Sequence, residues 1–303
     1  ALLAVAVIAS LVTRPYRAGP AAAIACAWAI GLAANPMLGG VSARGFFGVV
    51  EVVDRGEVRL MMHGMTVHGA QQIDGDDRLR PTTYYAPQAP IGQIFAAHDT
   101  PGRVGIVGLG AGSVACYARE TQAYRYFEID PLVVKFARDP NYFTYLSSCT
   151  PEPDIVLGDG RLTLAQEGAG TFELLLIDAF SSDSVPAHLL TREAVALYLS
   201  RLSDDGLLVM HVSNNHMQLE KVVARIADDL GVPARFQFYS PGDEMSSYQA
   251  SASQVVVLAR NAAALRALDA DPRWSVLEGD GKRPWTDDYS NVVGAIWDKM
   301  SGR

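Results

Sequence analysis

Apolar and polar positions divide the chain into three regimes. Across residues 1–43 the only charged side chains are Arg14 and Arg17, and the run AGPAAAIACAWAIGLAANPMLGG carries none. About 20 apolar residues suffice to cross a bilayer, so 1–43 predicts an apolar, membrane-associated helix that ends a longer membrane region. Pro20 and Pro36 sit near the ends of the run, where they harm a helix least. A signal peptide or an Ala-rich buried helix would share this composition. Over 44–80 the pattern becomes β-prone, with GFFGVVEVVD, EVRLMMHG and TVHGAQQ broken by turn residues such as Asp54, Arg55 and Gly56. That spacing predicts a small antiparallel sheet, a hairpin plus a third strand. A helix is expected from about Ala89 to His98.

The third regime, 81–303, alternates apolar runs with helical patterns. Strands are expected at 103–108, 123–128, 153–157, 172–178 and 206–212, each followed by a helix, which implies a parallel sheet covered on both faces. No convincing helix separates 234–238 from 253–259, so an antiparallel hairpin should close one edge. The fold class expected is α/β, a Rossmann-like methyltransferase-type sheet preceded by the small β domain.

Composition narrows the partners. Asp and Glu number 33 against 25 Lys and Arg, and no basic cluster occurs. This argues against nucleic acid and suits a cationic small molecule. Cys26, Cys116 and Cys149 are far apart and lack zinc-site spacing, so reduced, buried thiols and no metal are expected.

The chemistry centres on residues 104–131, VGIVGLGAGSVACYARETQAYRYFEIDP. A buried strand, a turn with Gly108, Gly110 and Gly112, a short helix, a second strand and the acids Glu128 and Asp130 read as a nucleoside cradle, because glycines admit the ligand and an acid after the second strand accepts from ribose hydroxyls. The third glycine comes one position earlier than in a dinucleotide fingerprint, which favours an S-adenosylmethionine-type ligand. Asp159 follows the third strand, where it can accept from an adenine amino group, and Asp178 ends the fourth, where the reacting group should lie. Either could also simply cap a helix. Tyr84 and Tyr85 precede a helix, a setting in which packing is as good an explanation as function. His211 and His216 follow the fifth strand and either face the ligand or bond the backbone; Asp243, Glu244 and Tyr248 lie in a polar loop that could cover the pocket.

The series HGAQ, Thr-Tyr-Tyr, GLGAG, YFEIDP, GDG, IDAFSSD and TDDYSN, from about Arg44 to Asn291, resembles the polyamine aminopropyltransferases, of which spermidine synthase is the type. It is most similar to the bacterial branch fused behind membrane-spanning helices. The resemblance implies that Glu128 holds the ribose with Ile129 beside it, and that Asp159 and Gly160 face the adenine. Asp178 would orient or deprotonate an attacking amine. Gln71 and Tyr84 would line the substrate groove, and Asp183 would help hold a cationic amine. The implied reaction moves an aminopropyl arm from S-adenosylmethionine or its decarboxylated form, as co-substrate and without metal, to a small amine; methylthioadenosine is released. A homodimer is compatible with the family. The chain departs from the family at Ala111, where an acid pairs with the nucleoside's amino group, and at Tyr84-Tyr85-Ala86, where Tyr-His-Glu is usual. Loss of the acid makes the intact nucleoside as acceptable as the decarboxylated one. Alternatives are a methyltransferase, a lyase that needs no acceptor, and a non-catalytic nucleoside sensor attached to a membrane region. Arg14 and Arg17 would direct the later residues outside by the positive-inside tendency, whereas a cytosolic co-substrate favours the cytoplasmic face, where the domain is expected.

Overall fold

The computed structural model describes residues 40–64, 66–179, 186–242, 245–246 and 248–301, together with the pair 24–25. Most of the apolar segment 1–43 lies outside the described residues; among those described, no helix is long and apolar enough to cross a membrane. The segment's last residues are extended rather than helical. Val41–Gly45 is strand β1, followed by β2 (Gly48–Arg55), β3 (Val58–His63) and β4 (Thr66–Gln72), so the small sheet has four strands in the order β1-β2-β3-β4, one more than its spacing predicts. The extra strand arises because Phe46 and Phe47 form a turn inside the GFFG run.

The main sheet follows from continuous apolar runs, the pattern of strands buried on both faces. After helix α1 (Pro90–Ala97) come β5 (Gly102–Val107), β6 (Gln122–Glu128), α2 (Pro131–Arg138), α3 (Tyr145–Cys149), β7 (Asp154–Leu157), α4 (Gly160–Leu164), β8 (Phe172–Ile177), α5 (Arg192–Arg201), β9 (Leu202–His211), α6 (Leu219–Leu230), β10 (Ala234–Tyr239), β11 (Ser253–Ala259), α7 (Arg266–Asp269), β12 (Ser275–Val276) and α8 (Val292–Ser301). The strand order is β12-β10-β11-β9-β8-β5-β6-β7. Strands β5 to β9 run parallel, and β11 and β10 close the edge antiparallel, as the sequence predicts. Leu174, Leu175, Leu176 and Ile177 of β8 are buried in the middle of this sheet. The helix expected after the glycine turn is instead a 3-10 helix over Ser113–Tyr117. Gly108, Gly110 and Gly112 all take positive φ, and Ala118 is already extended to reach β6, so only one short turn fits between them.

Register decides what meets at the carboxyl edge. Val107 pairs with Phe127 and with Ile177, Glu128 with Leu157, and Ile177 with Met210. The next residues along each strand are therefore neighbours: His211, Asp178, Gly108, then Glu128 with Gly158 and Asp159 beyond it. Gly108 has φ 97°, and a Cβ there would lie 2.2 Å from the Asp178 carbonyl oxygen, so the close approach of these two strand ends requires glycine.

The cysteine expectation is corrected. Cys116 and Cys149 form a disulfide with a Cα separation of 5.0 Å, because the 3-10 turn after the glycine loop packs beside α3. Cys26 lies outside the described residues. The bond joins residues 33 apart and should contribute about 3–4 kcal/mol by restricting the unfolded chain. Chemical denaturation with and without reductant should differ by this amount in the wild-type protein and not at all in Cys116→Ser/Cys149→Ser.

Candidate active site

A cavity of about 270 Å³ opens at the carboxyl edge of the parallel strands. Gly108, Gly110, Glu128, Ile129, Asp159, Gly160 and Asp178 line it from the main sheet, and His63, His68 and Phe47 from the small one. Tyr84 and Tyr85 form another wall. Its charged lining consists of Glu128, Asp130, Asp159 and Asp178, with no Lys or Arg among the described residues. Such a wall favours a cation.

Glu128 is 7% exposed, and its carboxylate accepts from the Leu109 N–H at 2.9 Å and the Asp130 N–H at 2.8 Å. Burial pushes its carboxyl upward, and the backbone donors oppose that shift. These contacts hold the glycine loop to β6 and leave lone pairs for ribose hydroxyls. Asp130 caps α2 through Leu132 N–H at 2.8 Å, while its Oδ2 is buried without a partner. Asp159 both lines the cavity and caps α4: Oδ1 accepts from Leu162 N–H at 2.9 Å, and Oδ2 lies 3.0 Å from His188 Nε2.

Asp178 is 9% exposed at the tip of β8. The Tyr85 hydroxyl donates to its Oδ2, and His211 Nδ1 lies 2.7 Å from its Oδ1. His211 Nε2 is in turn 2.7 Å from Ser213 Oγ. The Tyr84 ring packs on both partners, 4.6 Å from Tyr85 and 4.8 Å from His211, and its hydroxyl donates to Val67 O at 2.9 Å. Burial and the nearby Asp178 charge push both tyrosine hydroxyls upward, so they remain donors. Thr83 precedes this pair with φ 57°, a strained setting for a β-branched residue. Its N–H donates to Tyr248 O at 3.2 Å, and Ser251 N–H donates to its carbonyl at 3.1 Å.

Two expected site residues lie elsewhere. Gln71 does not reach the cavity: its amide donates to Arg78 O and Thr144 Oγ1 and accepts from Thr144 N–H, which makes it a brace between β4 and the start of α3. Gly112 also turns away, packed where a Cβ would meet Leu146 at 2.8 Å. Asp183, Asp243 and Glu244 are outside the described residues. Tyr85 and His211 are the partners that sequence reasoning did not assign to Asp178; the register of β8 with β9 brings His211 there, and the turn Thr83–Tyr85 brings Tyr85. His216 has no place in the cavity wall. Ala111 is 1% exposed and faces Gly69, where a Cβ would come within 2.6 Å of its methyl group. It does not line the cavity either.

His68, like Asp130, brings an unsatisfied polar atom to the cavity wall. Its Nε2 is buried without a hydrogen-bond partner, and burial, reinforced by His63 and opposed by Asp178, pushes the imidazole down from 6.5 to about 4. The native state therefore refuses a proton that the unfolded chain accepts, so this group's contribution to stability is present above pH 6.5 and lost as pH falls toward 4. His68→Asn should remove that sensitivity. On going from neutral to about pH 4.5 the variant should lose about 2 kcal/mol less stability than wild type, read by urea denaturation at both pH values.

No protein-family model matches the chain. Over 130 residues it is 33% identical to a polyamine aminopropyltransferase of Vibrio vulnificus (strain CMCP6). That match takes in 41% of this chain and 42% of the relative, less than half of either length. Among solved structures, the chain's fold is similar to that of a probable spermidine synthase from Corynebacterium glutamicum ATCC 13032, with a TM-score of 0.60 at 14% identity over 83% of this chain and 98% of the other. Spermidine synthase from Thermotoga maritima gives 0.55 at 14% identity over 86% and 87%. A spermidine synthase in complex with the transition state analogue AdoDATO gives 0.55 at 15% over 86% and 86%. These likenesses establish the α/β Rossmann-like methyltransferase-type fold.

Proposed function

We propose that the chain transfers an aminopropyl group from decarboxylated S-adenosylmethionine to a small amine and releases methylthioadenosine. The observation that carries this reading is Asp178, buried at the strand tip and held by two side-chain donors in a cavity whose lining holds carboxylates and no Lys or Arg among the described residues. The Vibrio relative is named for this activity, and the fold is that of the spermidine synthases. The residues present fit the nucleoside. Glycines stand where the backbone approaches closely, Glu128 has lone pairs for the ribose, and Asp159 and Gly160 lie on the same wall for the base. No group of three His, Cys, Asp or Glu able to hold a metal occurs among the described residues.

The reaction asks little covalent help of the protein. The amine lone pair attacks the carbon next to the sulfonium, the carbon–sulfur bond breaks with its electron pair going to sulfur, and a proton leaves the new ammonium for the Asp178 carboxylate. Sulfur departs as a neutral thioether. Rate then comes from alignment and from keeping the amine unprotonated. A second reading, that the nucleoside keeps its carboxylate, is favoured by Ala111: packed against Gly69, it offers no anion to a bare ammonium tail.

We further assign the chain to the membrane-fused branch, attached through 1–43 with the domain on the cytoplasmic face, and able to form a homodimer. The uncharged run before Arg44 supports attachment. The co-substrate's cytosolic origin supports the orientation, while the Cys116–Cys149 disulfide, a bond more common in oxidising compartments, weighs against it. Sealed vesicles decide: protection of the domain from external protease is expected.

Incubation with putrescine and each nucleoside form should release methylthioadenosine, which chromatography detects; S-adenosylhomocysteine would indicate a methyltransferase instead. Asp178→Asn should lower kcat by about 100-fold or more while methylthioadenosine still binds. Binding without turnover in the wild type would leave a sensor.

A further inference from the structure

The environment of Asp178 holds an unusual balance of charge. A buried carboxylate is commonly stabilised by an arginine or lysine, and such a pair has no net charge. Here neither side-chain partner is a permanent cation: Tyr85 donates a phenolic proton to Oδ2 from the small-domain side of the cavity, and His211 Nδ1 reaches Oδ1 from the neighbouring strand. His211 is 4% exposed and does not line the cavity, so it acts on Asp178 rather than on a ligand.

The hydrogen-bond chain is satisfied by a single ring proton, carried on Nδ1. An ionised carboxylate only accepts, so Nδ1 must donate. On the far side, Gln254 N–H donates to Ser213 Oγ at 2.8 Å, and the serine's own proton is free to point at His211 Nε2, 2.7 Å away. Every donor then has an acceptor with the imidazole neutral. The arrangement matches the way an orienting group fixes a histidine tautomer, with the roles exchanged: here the histidine orients the acid.

We propose that His211 is a positioning residue for the transfer reaction: as a neutral Nδ1–H donor locked by Ser213, it holds the Asp178 carboxylate toward the acceptor amine and leaves its negative charge uncompensated for that amine. The inference rests on the aminopropyl-transfer reading and adds to it a second group at the end of β9. A protonated His211 would cancel the charge on Asp178, and a residue without a donor would let the carboxylate rotate away from the line of attack. Tyr84, itself in the cavity wall, packs on His211, which shields the imidazole from the substrate and keeps it in place while Asp178 stays in the wall.

Two variants separate positioning from mere packing. His211→Phe fills the space without a donor, and His211→Asn places an amide N–H near the position of Nδ1. With saturating nucleoside and putrescine, His211→Phe should lose about 100-fold in kcat, the order expected for a misplaced reacting group. His211→Asn should recover to within about 10-fold of wild type, and both should bind methylthioadenosine in calorimetry with little change. Equal loss in the two variants, or near wild-type kcat in His211→Phe, would overturn the proposal. A second measurement needs neither turnover nor a folded variant. In wild-type protein labelled with 15N at histidine, the His211 ring should show a protonated Nδ1 and a bare Nε2. An Nε2–H tautomer or an imidazolium at neutral pH would refute the neutral-donor role. Should the wild type transfer no group to any amine while the ring shows Nδ1–H alone, the transfer reading fails and the neutral orientation of Asp178 stands.

Discussion

Everything at this site depends on the register of five parallel strands. Because Val107 stands beside both Phe127 and Ile177, and Ile177 beside Met210, the residues that follow each strand meet along one edge without long loops to carry them. Backbone hydrogen bonds hold the arrangement: Asp178 N–H donates to Val107 O, Gly108 N–H to Phe127 O, and Gly158 N–H to Glu128 O, each at 2.9 Å. A one-residue slip in any pair would exchange an inward side chain for an outward one. Glycine at 108 is a consequence of the same constraint, since any side chain there would strike the neighbouring strand end.

The small sheet completes what the large sheet begins. Thr82 Oγ1 and the Tyr145 hydroxyl both donate to Ala70 O, at 2.6 and 2.9 Å, and Gln71 bonds Thr144 through both ends of its amide. These buried contacts dock β4 over the glycine loop, where Gly69 and Ala111 leave no room for larger residues. His63 and His68 thereby enter the cavity wall opposite the acids. The site is consequently asymmetric: carboxylates lie along the main sheet, and the small one contributes His68, whose imidazole burial keeps from charging. A cationic ligand is drawn toward the strand ends, and the strained turn at Thr83 places the two tyrosines between the halves.

Phe46 is 95% exposed at the β1–β2 turn, while its neighbour Phe47 lines the cavity. The turn thus presents one aromatic ring to the cavity and one to solvent, the two meeting edge to face with centroids 5.1 Å apart. This hairpin, like the Tyr84–Tyr85 turn, shows how much of the cavity's rim belongs to segments outside the parallel sheet.

Local pattern was enough to reveal the strands, the edge hairpin, the glycine turn and the acids Glu128, Asp159 and Asp178, because a strand buried on both faces must be continuously apolar and its end must return to polar residues. The same pattern misassigned the helix after the glycine turn and the extended residues of β1, where three positive-φ glycines and an aromatic turn decide the backbone. It also said nothing about partners. Gln71 as a brace, Cys116 bound to Cys149, and Asp178 held by Tyr85 and His211 join residues 73, 33, 93 and 33 positions apart. Periodicity reports which face of an element is buried; it carries no information about which element lies against that face. The sequence by itself determined the kind of sheet and the acids at its edge. Tertiary structure alone decided which side chains surround Asp178, since that follows from strand order and docking, interactions that no local spacing encodes.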